Sequence, residues 1–382
     1  MGESPRASSL LVVAGEPSGD EMGAAVVSRL GQPGFGIGGP ALRAAGLETL
    51  FDAEPLANMG VRALMRGSAA LRAAHTLERE LARRRPAAAL LIGFSEFNGW
   101  LGRRLRARGV RVLWYAPPQA WAWRPWRARA VRRACHLAAV ILPFEEAFWR
   151  EAGVDARYVG HPGLEFVQES RPSVRRRLSF TPRAEYIALL PGSRTQEVRR
   201  HLPAMLRAAA LVRAERGALD ARVVLAPGLA RRVAAWAEDE ATKAGTGVLY
   251  GAAPGVLPAF DAALCASGTA SLECALASVP PVIVYRSDAV TAWVARRLVR
   301  VEHMGLPNLL LGERAFPELL QEQVAPGDMA SALQRLLDDR SRLGACQRVR
   351  QRLIEPLVGP GADTLRPPPS ARVAALLEPW LR

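Results

Sequence analysis

Several features that would place this chain in a familiar class are missing from its 382 residues. Its four cysteines lack metal-ligand spacing, which argues against a zinc site and indicates reduced core thiols. No apolar run reaches the roughly 18 residues that a membrane-spanning helix needs, and the apolar segment near the start is too short for a secretory signal. An H-E-x-x-H motif, a Ser-His-Asp order and a Walker loop are also absent. We therefore expect a cytoplasmic protein outside these catalytic classes.

Lysine is nearly absent as well, yet the chain is strongly basic. Lys243 is the single lysine, and the many arginines raise the formal net charge to +15. This charge favours anionic partners, either polyanions or anionic lipid surfaces. A genome composition that favours Arg, Ala, Gly and Pro together explains it equally well. With 49% hydrophobic and 23% charged residues, the composition is that of a globular protein, and the length predicts two or three domains.

Short β-rich runs alternate with stretches long enough for helices, which predicts parallel, doubly wound α/β sheets. Six such runs lie between residues 9 and 162, and five more lie between residues 185 and 286. The polar, arginine-rich stretch 168–185 is the best linker candidate. We expect Rossmann-like lobes at 1–167 and 168–354 that face a central cleft, and a helical tail at 355–382. That tail would pack on the N-terminal lobe or on a partner subunit.

Ligands of such sheets bind beyond the carboxyl ends of the strands. Five segments follow predicted strands and should surround the cleft: 15–20, 94–98, 116–123, 191–197 and 267–273.

The turn DAALCASGTASLE (261–273) has the layout of a phosphate site. Ser267 is a good N-cap and Gly268 lets the backbone approach a ligand, so free amides and the positive end of the helix dipole favour an anion. Glu273 lies four residues after Thr269 on one helical face, where its carboxylate can accept hydrogen bonds from the two hydroxyls of a ribose. The alternative is an ordinary strand-to-helix turn with a solvated Glu273.

A second candidate anion turn is PGSRTQEV (191–198). Gly192 and Ser193 expose amides at a helix start, and Arg194 supplies a fork that matches a phosphate. The alternative is a surface capping turn from Ser193 to Glu197. Two such turns in one lobe favour a diphosphate and hence a nucleotide.

The first lobe carries an acidic turn, GEPSGDEMG (15–23), after its first strand. Glu16 and Asp20 would repel a phosphate and suit sugar hydroxyls. The alternative is a capped helix start with Ser18 or Asp20 as the cap. His161 is the histidine nearest the expected cleft, although a lone histidine is more often structural.

Aromatic residues and arginines alternate in WYAPPQAWAWRPWRARAVRR (114–133). This pattern fits base stacking on a single strand or a membrane interface, or core indoles beside a solvated basic helix. The segment 56–74 is either core or an apolar arm that touches lipid. Its candidate membrane residues are Met59, Val61, Leu64 and Met65.

Taken together, these segments resemble the lipid-A-disaccharide synthase family, inverting glycosyltransferases of the GT-B type with two Rossmann-like lobes. The matching motifs span nearly the whole chain: AGEPSGD (14–20), LANMG (56–60), PPQAWAW (117–123), LPFEEAF (142–148), VGHP (159–162), LLPGSRTQEV (189–198), ASGTASLECALASVPPVIVYR (266–286) and LPNLLLGERAFPELLQE (306–322).

The resemblance implies that UDP-2,3-diacylglucosamine donates its sugar to 2,3-diacylglucosamine 1-phosphate, giving a β-1,6-linked disaccharide and UDP. The donor is a substrate, and neither a metal ion nor another cofactor is implied. The second lobe would bind the nucleotide through Ser193, Arg194, Glu197, Ser267, Gly268, Thr269, Ala270, Glu273 and Asn308. The first lobe would bind the acceptor through Gly15, Glu16, Ser18, Gly19 and Asn98. An anionic membrane surface and a homodimer are further implied partners, with peripheral attachment to the inner face of the cytoplasmic membrane.

The chain departs from the family at its expected catalytic base. Where the family reads Gly-Ile-Asp-x-Pro-Asp-Phe-Asn, this sequence reads Gly-Phe-Ser-Glu-Phe-Asn from Gly93 to Asn98, and the first aspartate is missing. Glu96 aligns with the second acid and is the predicted base, with Asp20 as the fallback. A relative that binds a UDP-sugar or lipid without catalysis is the second hypothesis. Charge and tryptophans suggest a third, a nucleic-acid-binding protein, but we expect no nucleic-acid partner.

Overall fold

The computed structural model describes residues 10–53, 68–123, 127–165, 169–181, 184–251, 253–287, 302–358 and 367–382. The chain divides into two compact α/β units. One comprises Met1–Glu165 together with Leu357–Arg382, and the other comprises Phe166–Pro356. No helix in the described ranges has both the length and the apolar character needed to cross a membrane.

The first unit is built on a seven-stranded parallel sheet with the order β3-β2-β1-β4-β5-β6-β7. Its strands are β1 (Leu10–Ala14), β2 (Gly34–Gly38), β3 (Leu47–Asp52), β4 (Ala88–Ile92), β5 (Arg111–Tyr115), β6 (Leu137–Val140) and β7 (Ala156–Tyr158). Its helices before residue 165 are α1 (Pro17–Leu30), α2 (Pro40–Ala44), α3 (Ser68–Arg84), α4 (Ser95–Ala107), α5 (Ala120–Trp123), α6 (Ala128–Ala134) and α7 (Glu145–Glu151). Every residue of the central strands β1 and β4 is buried, as expected for a parallel sheet covered on both faces.

The second unit has a six-stranded parallel sheet with the order β10-β9-β8-β11-β12-β13. Its strands are β8 (Glu185–Leu190), β9 (Leu219–Leu225), β10 (Gly247–Tyr250), β11 (Ala262–Ala266), β12 (Pro281–Tyr285) and β13 (Glu318–Leu320). Its helices are α8 (Arg171–Arg177), α9 (Thr195–Arg216), α10 (Arg231–Lys243), α11 (Thr269–Leu276), α12 (Leu306–Leu311) and α13 (Pro326–Asp338). A further helix, α14 (Arg342–Val358), leads from this unit back to the first.

The last helix, α15 (Pro369–Leu381), belongs to the first unit and packs on α1. Its Val373 and Leu377 are buried in one apolar cluster with Leu10 of β1 and Leu90 of β4. Glu165 accepts hydrogen bonds from both the backbone N–H and the hydroxyl of Ser370, each at 2.5 Å. One face of the first unit's sheet is therefore covered in part by a helix from the C-terminal end of the described chain.

Each sheet has one place where the winding direction reverses. In the first unit β1 lies beside β4, and in the second β8 lies beside β11. The loops that leave these paired strands run to opposite faces, so their carboxyl ends border a crevice where α/β proteins bind ligands. The predicted acidic turn follows β1, and the predicted phosphate turn follows β11.

The prediction of two parallel, doubly wound domains is confirmed. Two strands were not predicted, β3 and β13. β3, with the sequence LETLFD, lies at a sheet edge, and after Leu47 its side chains are partly or fully exposed, so it lacks the apolar run of a central strand. β13 has only three residues.

Candidate active site

The turns after β1 and β4 touch each other. A β-carbon on Gly15 would collide with the ring of Phe94, so only glycine fits this position without movement. On the other side, Glu16 Oε2 lies 3.9 Å from the place where a β-carbon on Gly93 would sit. The structure thus brings predicted acceptor residues Gly15 and Glu16 next to the predicted base segment.

The turn after β4 has a constrained backbone. Gly93 and Phe94 are both in the left-handed region, at φ 49° and 46°, and Phe94 is the N-cap of α4. For phenylalanine this conformation is strained, and such strain is found mostly where function requires it. Asn98 Nδ2 donates to Ile92 O at 3.1 Å and to Gly93 O at 3.0 Å, while Trp114 Nε1 donates to Gly93 O at 3.1 Å. These bonds fix the direction in which α4 starts.

Asn98 is fully buried beneath this turn. Its Oδ1 has no hydrogen-bond partner among the residues that the structure describes. Asn98 was predicted to bind the acceptor. Its side chain is instead buried, and its Nδ2 bonds to Ile92 O and Gly93 O hold the turn after β4 in place.

Glu96 lies in the first turn of α4, where the helix dipole favours a negative charge. Its carboxylate forms an ion pair with Arg127, and the two side chains are 29% and 27% exposed. Partial burial lowers the pKa of Arg127. The arginine thus holds this carboxylate in one direction while solvent still reaches it.

Asp20 has a structural role that the sequence did not reveal. It is 5% exposed, and its carboxylate accepts N–H bonds from Gly39 at 2.6 Å, Ala41 at 2.9 Å and Leu42 at 3.2 Å. It thus caps α2, the next helix along the chain, instead of its own. Both oxygens are occupied, so the fallback assignment of Asp20 as the base does not fit this geometry.

The start of α1 also differs from the capping alternative. The N-cap is Glu16, followed by a proline at the first helical position, and no side chain caps the helix. Ser18 is exposed. Gly19 is buried, and a β-carbon there would lie in ordinary contact with Ile92, 3.4 Å from its Cγ2.

Ser267 acts differently from the predicted N-cap. The N-cap of α11 is Gly268, at φ 151°, and no side chain caps this helix. Instead, Ser267 Oγ donates to Met304 O at 2.6 Å, and its backbone N–H donates to Val284 O at 2.8 Å. Gly268 and Thr269 are exposed at the helix start, and Glu273 lies one turn further along α11. The helix start that we predicted to face an anion is therefore present.

Asn308 lies behind this turn. Its Nδ2 donates to Phe316 O and to Glu318 Oε1, both at 2.8 Å, and its Oδ1 accepts from Phe316 N at 2.9 Å. Glu318 also accepts from the backbone N–H groups of Met304 and Gly305, each at 3.0 Å. The buried Asn308 was predicted to line the nucleotide pocket, but its polar atoms hold the segment to which Ser267 is bonded.

The turn after β8 is held together by Glu197, an acidic residue in the first turn of α9. The carboxylate of Glu197 accepts from Ser193 N at 3.1 Å and Arg194 N at 3.3 Å, and it pairs with the guanidinium of Arg194 at 3.1 Å. The backbone N–H groups of Ser193 and Arg194 are thus bonded within the turn, as in the alternative of a surface capping turn. The side chain of Arg194 remains 69% exposed, which suits a cation that receives a charged ligand.

Sequence reasoning missed Glu145, although the motif LPFEEAF contained it. Glu145 is 1% exposed and accepts from Trp121 Nε1 at 2.9 Å, Leu142 N at 3.0 Å and Ile141 N at 3.1 Å. Burial raises its pKa to about 7, because the loss of hydration outweighs these donors. It joins the loops that follow β5 and β6, so it orders the carboxyl edge of the first unit's sheet.

His161 is a structural residue. It is 3% exposed, its Nδ1 accepts from Gly163 N at 3.1 Å, and burial lowers its pKa to about 4. Its Nε2 is buried and finds no partner within the described part of the chain.

The four cysteines are free and buried, as expected for core thiols. The candidate membrane residues Met59, Val61, Leu64 and Met65 lie outside the described residues.

Residues 10–366 match the model of the lipid-A-disaccharide synthetase family. The lipid-A-disaccharide synthase of Myxococcus xanthus is 41% identical over 381 residues, covering 92% of this chain and 98% of that protein. The chain belongs to the lipid-A-disaccharide synthase family. Another lipid-A-disaccharide synthase, from Syntrophus aciditrophicus, is 37% identical over 366 residues, covering 92% of this chain and 94% of that protein. The resemblance drawn from the motifs is confirmed.

Solved structures agree with this family at the level of the fold. The UDP-GlcNAc 2-epimerase from Neisseria meningitidis bound to UDP-GlcNAc has a TM-score of 0.66 at 9% identity, with coverage of 97% of this chain and 99% of that one. The calicheamicin glycosyltransferase CalG4 has a TM-score of 0.57 at 16% identity, with 99% of both chains covered. The GT-B architecture of two Rossmann-like domains is confirmed, and the protein is a UDP-sugar-dependent glycosyltransferase of the lipid-A-disaccharide synthase family.

Proposed function

We propose that this protein transfers the acylated glucosamine of UDP-2,3-diacylglucosamine to 2,3-diacylglucosamine 1-phosphate and releases UDP. The observation that carries the proposal is the position of the family's motifs at both switch points. AGEPSGD and the Glu96 segment follow β1 and β4, while PGSR and ASGTASLE follow β8 and β11. Each pair of turns lies where a doubly wound sheet binds its ligand.

For the donor, we propose that the exposed guanidinium of Arg194 and the start of α11 at Gly268, Thr269 and Ala270 bind the diphosphate. The α11 amides and helix dipole are oriented to favour an anion, and the arginine adds charge-assisted hydrogen bonds. Glu273 would accept hydrogen bonds from the ribose hydroxyls. Ser193 and Glu197 would shape the turn that presents Arg194, and Ser267 and Asn308 would hold the segment behind α11.

For the acceptor, we propose Glu96 as the general base. Its carboxylate takes the proton of the attacking hydroxyl, the hydroxyl oxygen bonds to the anomeric carbon, and the bond from that carbon to UDP breaks with inversion. The electron pair leaves with UDP, whose growing charge Arg194 and the start of α11 stabilise. Gly15 and Glu16 lie against the same turn and would contact the acceptor sugar, as would Ser18 at the exposed start of α1. In this scheme cations of the protein balance the diphosphate, so we propose that no metal ion or other cofactor takes part.

The substrates carry acyl chains, and the net charge of +15 favours an anionic membrane surface. We therefore propose peripheral attachment at the cytoplasmic membrane face, with Met59, Val61, Leu64 and Met65 as lipid contacts. Cosedimentation with anionic vesicles at low salt tests this, and failure to cosediment would refute it.

We also propose, from the family resemblance, that the protein is a homodimer. Light scattering on the purified protein can measure this oligomeric state. A monomer at micromolar concentration would contradict the dimer.

The reaction is tested by incubating both proposed substrates with the protein and measuring UDP and the disaccharide. Glu96→Gln should reduce kcat by at least about a hundredfold, because the amide cannot accept the proton. Glu151→Gln, which alters an exposed carboxylate of the same unit, is the matched control and should retain turnover. Near-normal turnover of Glu96→Gln would reject the base. Tight donor binding without turnover by the unmodified protein would favour the second candidate, a relative that binds but does not catalyse.

A further inference from the structure

His201 is a buried histidine in α9 for which the proposed reaction gives no role. It is 2% exposed and lies in the second turn of the helix that follows Arg194. Its position in the helical run RRHLPAML gives no sign of function, because its binding partners come from distant segments.

Both ring nitrogens of His201 are bonded to backbone groups. Nδ1 lies 3.0 Å from Pro191 O, and Nε2 accepts the N–H of Arg286 at 3.3 Å. A carbonyl oxygen can only accept and a backbone N–H can only donate. The ring is therefore neutral and carries its proton on Nδ1. Burial lowers the pKa of His201, which agrees with this neutral state.

The two backbone groups belong to segments on opposite sides of the phosphate turn. Pro191 follows β8 and Arg286 follows β12, and β11 lies between these strands in the sheet. Strands two places apart are separated by roughly 9 to 10 Å, a gap that one imidazole with a hydrogen bond at each end bridges. His201 thus connects the flanks of the turn formed by Ser267 and Gly268.

The segment after β12 is held at further points. Arg200, the neighbour of His201 in α9, donates from Nη1 to Arg286 O at 3.2 Å. Two successive residues of α9 thus hold the N–H and the C=O of Arg286. Ser287 N donates to Gln321 Oε1 at 3.3 Å on the side of β13. The side chain of Arg286 is exposed. Because its backbone is fixed by these bonds, the region that its guanidinium can reach is limited.

We propose that neutral His201 is a positioning residue of the donor site. It fixes the turn that carries Arg194 and the segment that carries Arg286 on the two sides of Gly268. The side chains of Arg194 and Arg286 are then attached to backbone segments whose positions around the diphosphate are fixed. This inference rests on the proposed function, because it takes the donor to bind at this turn.

The proposal predicts a dependence of donor affinity on pH. The charged groups that act on His201 are Glu197 and Arg200 of its own helix and Arg286 from the end of β12. Protonation would set an N–H against the N–H of Arg286 and add a positive charge beside two arginines. Since the folded pKa lies below the ordinary imidazole value, the bridge is intact at neutral pH and breaks as the pH falls through the lowered value. Donor affinity should fall with it.

The test measures the KM and the calorimetric Kd of UDP-2,3-diacylglucosamine between pH 5 and 8. This donor suits the test because its diphosphate is a diester without a proton that titrates in this range. His201→Ala should raise both constants at least about tenfold at neutral pH, as expected for two lost hydrogen bonds, with the acceptor KM within about twofold. His201→Gln offers one donor and one acceptor, so it should restore neutral-pH affinity and abolish the acidic weakening. His136→Gln removes another histidine of lowered pKa, from the other unit, and should leave donor affinity unchanged.

Unchanged donor affinity in His201→Ala would overturn the proposal, and so would an acidic weakening that persists in His201→Gln. Imidazole nitrogen NMR at pH 7.5 must show the Nδ1-protonated tautomer; the opposite tautomer would also overturn it. If the unmodified protein binds the donor with this pH dependence but forms no disaccharide, the proposed function fails and the positioning role stands.

Discussion

Replacing Asp20 by asparagine tests whether the role of this carboxylate is structural or catalytic. In the folded protein Asp20 Oδ1 accepts from Gly39 N and Leu42 N, and Oδ2 accepts from Ala41 N. Asparagine keeps one acceptor oxygen and places an NH₂ group against a backbone N–H. The lost charge-assisted bond costs about 1.5 to 3 kcal/mol, and removing the negative charge at the start of α2 costs about 0.3 to 1 kcal/mol more.

We therefore expect Asp20→Asn to lower the free energy of unfolding by about 3 kcal/mol. At roughly 3 °C per kcal/mol for a unit of this size, the Tm of the first unit should fall by about 9 °C. Thermal unfolding by calorimetry and urea unfolding at 25 °C measure the effect. At 20 °C, where the variant is still folded, kcat should remain within a fewfold of the unmodified protein. An unchanged Tm together with a kcat reduced a hundredfold would refute the reasoning and restore Asp20 as the base.

Two further predictions concern the first unit. Because burial raises the pKa of Glu145 from 4.5 to about 7, its folded form binds a proton that the unfolded form releases, so the contribution of Glu145 to stability is greatest below about pH 4.5 and declines towards pH 7. The decline should reach about 3 kcal/mol, and Glu145→Gln should abolish it; equal slopes for both proteins in urea unfolding from pH 4.5 to 8 would contradict this. Gly15→Ala should cost about 1 to 3 kcal/mol through collision with Phe94, and the additional change Phe94→Ala should recover part of it. Gly327→Ala, in open space at the start of α13, is its control, and a comparable loss of stability in both glycine variants would disprove the collision.

The sequence predicted the central strands because their burial is local and continuous. LLVVA in β1 and AALLI in β4 are apolar throughout, and each is followed by a turn rich in glycine or polar residues. The positions of the candidate turns followed from this alternation, because parallel strands end at one edge of their sheet. β3 escaped prediction because an edge strand with partly exposed side chains carries a weaker pattern.

The partners of polar side chains could not be read from the sequence. Asp20 caps a helix that starts about twenty residues later, and Asn308 uses its amide on Phe316 and Glu318. The sequence states how many hydrogen bonds a side chain can make, but the tertiary fold decides with which groups it makes them. For the same reason Ser267 was expected to cap α11 and instead donates to Met304.

The place of α15 has a consequence for the order in which the protein matures. The second unit is one continuous stretch, Phe166–Pro356, whereas the first needs Leu357–Arg382 to complete its covering. During translation domains fold as their residues become available. The sheet of the first unit, although made earlier, keeps the part of its face that receives Val373 and Leu377 uncovered until the whole second unit has been synthesised. The second unit can therefore complete its fold while part of an apolar face of the first unit's sheet still lacks its covering helix.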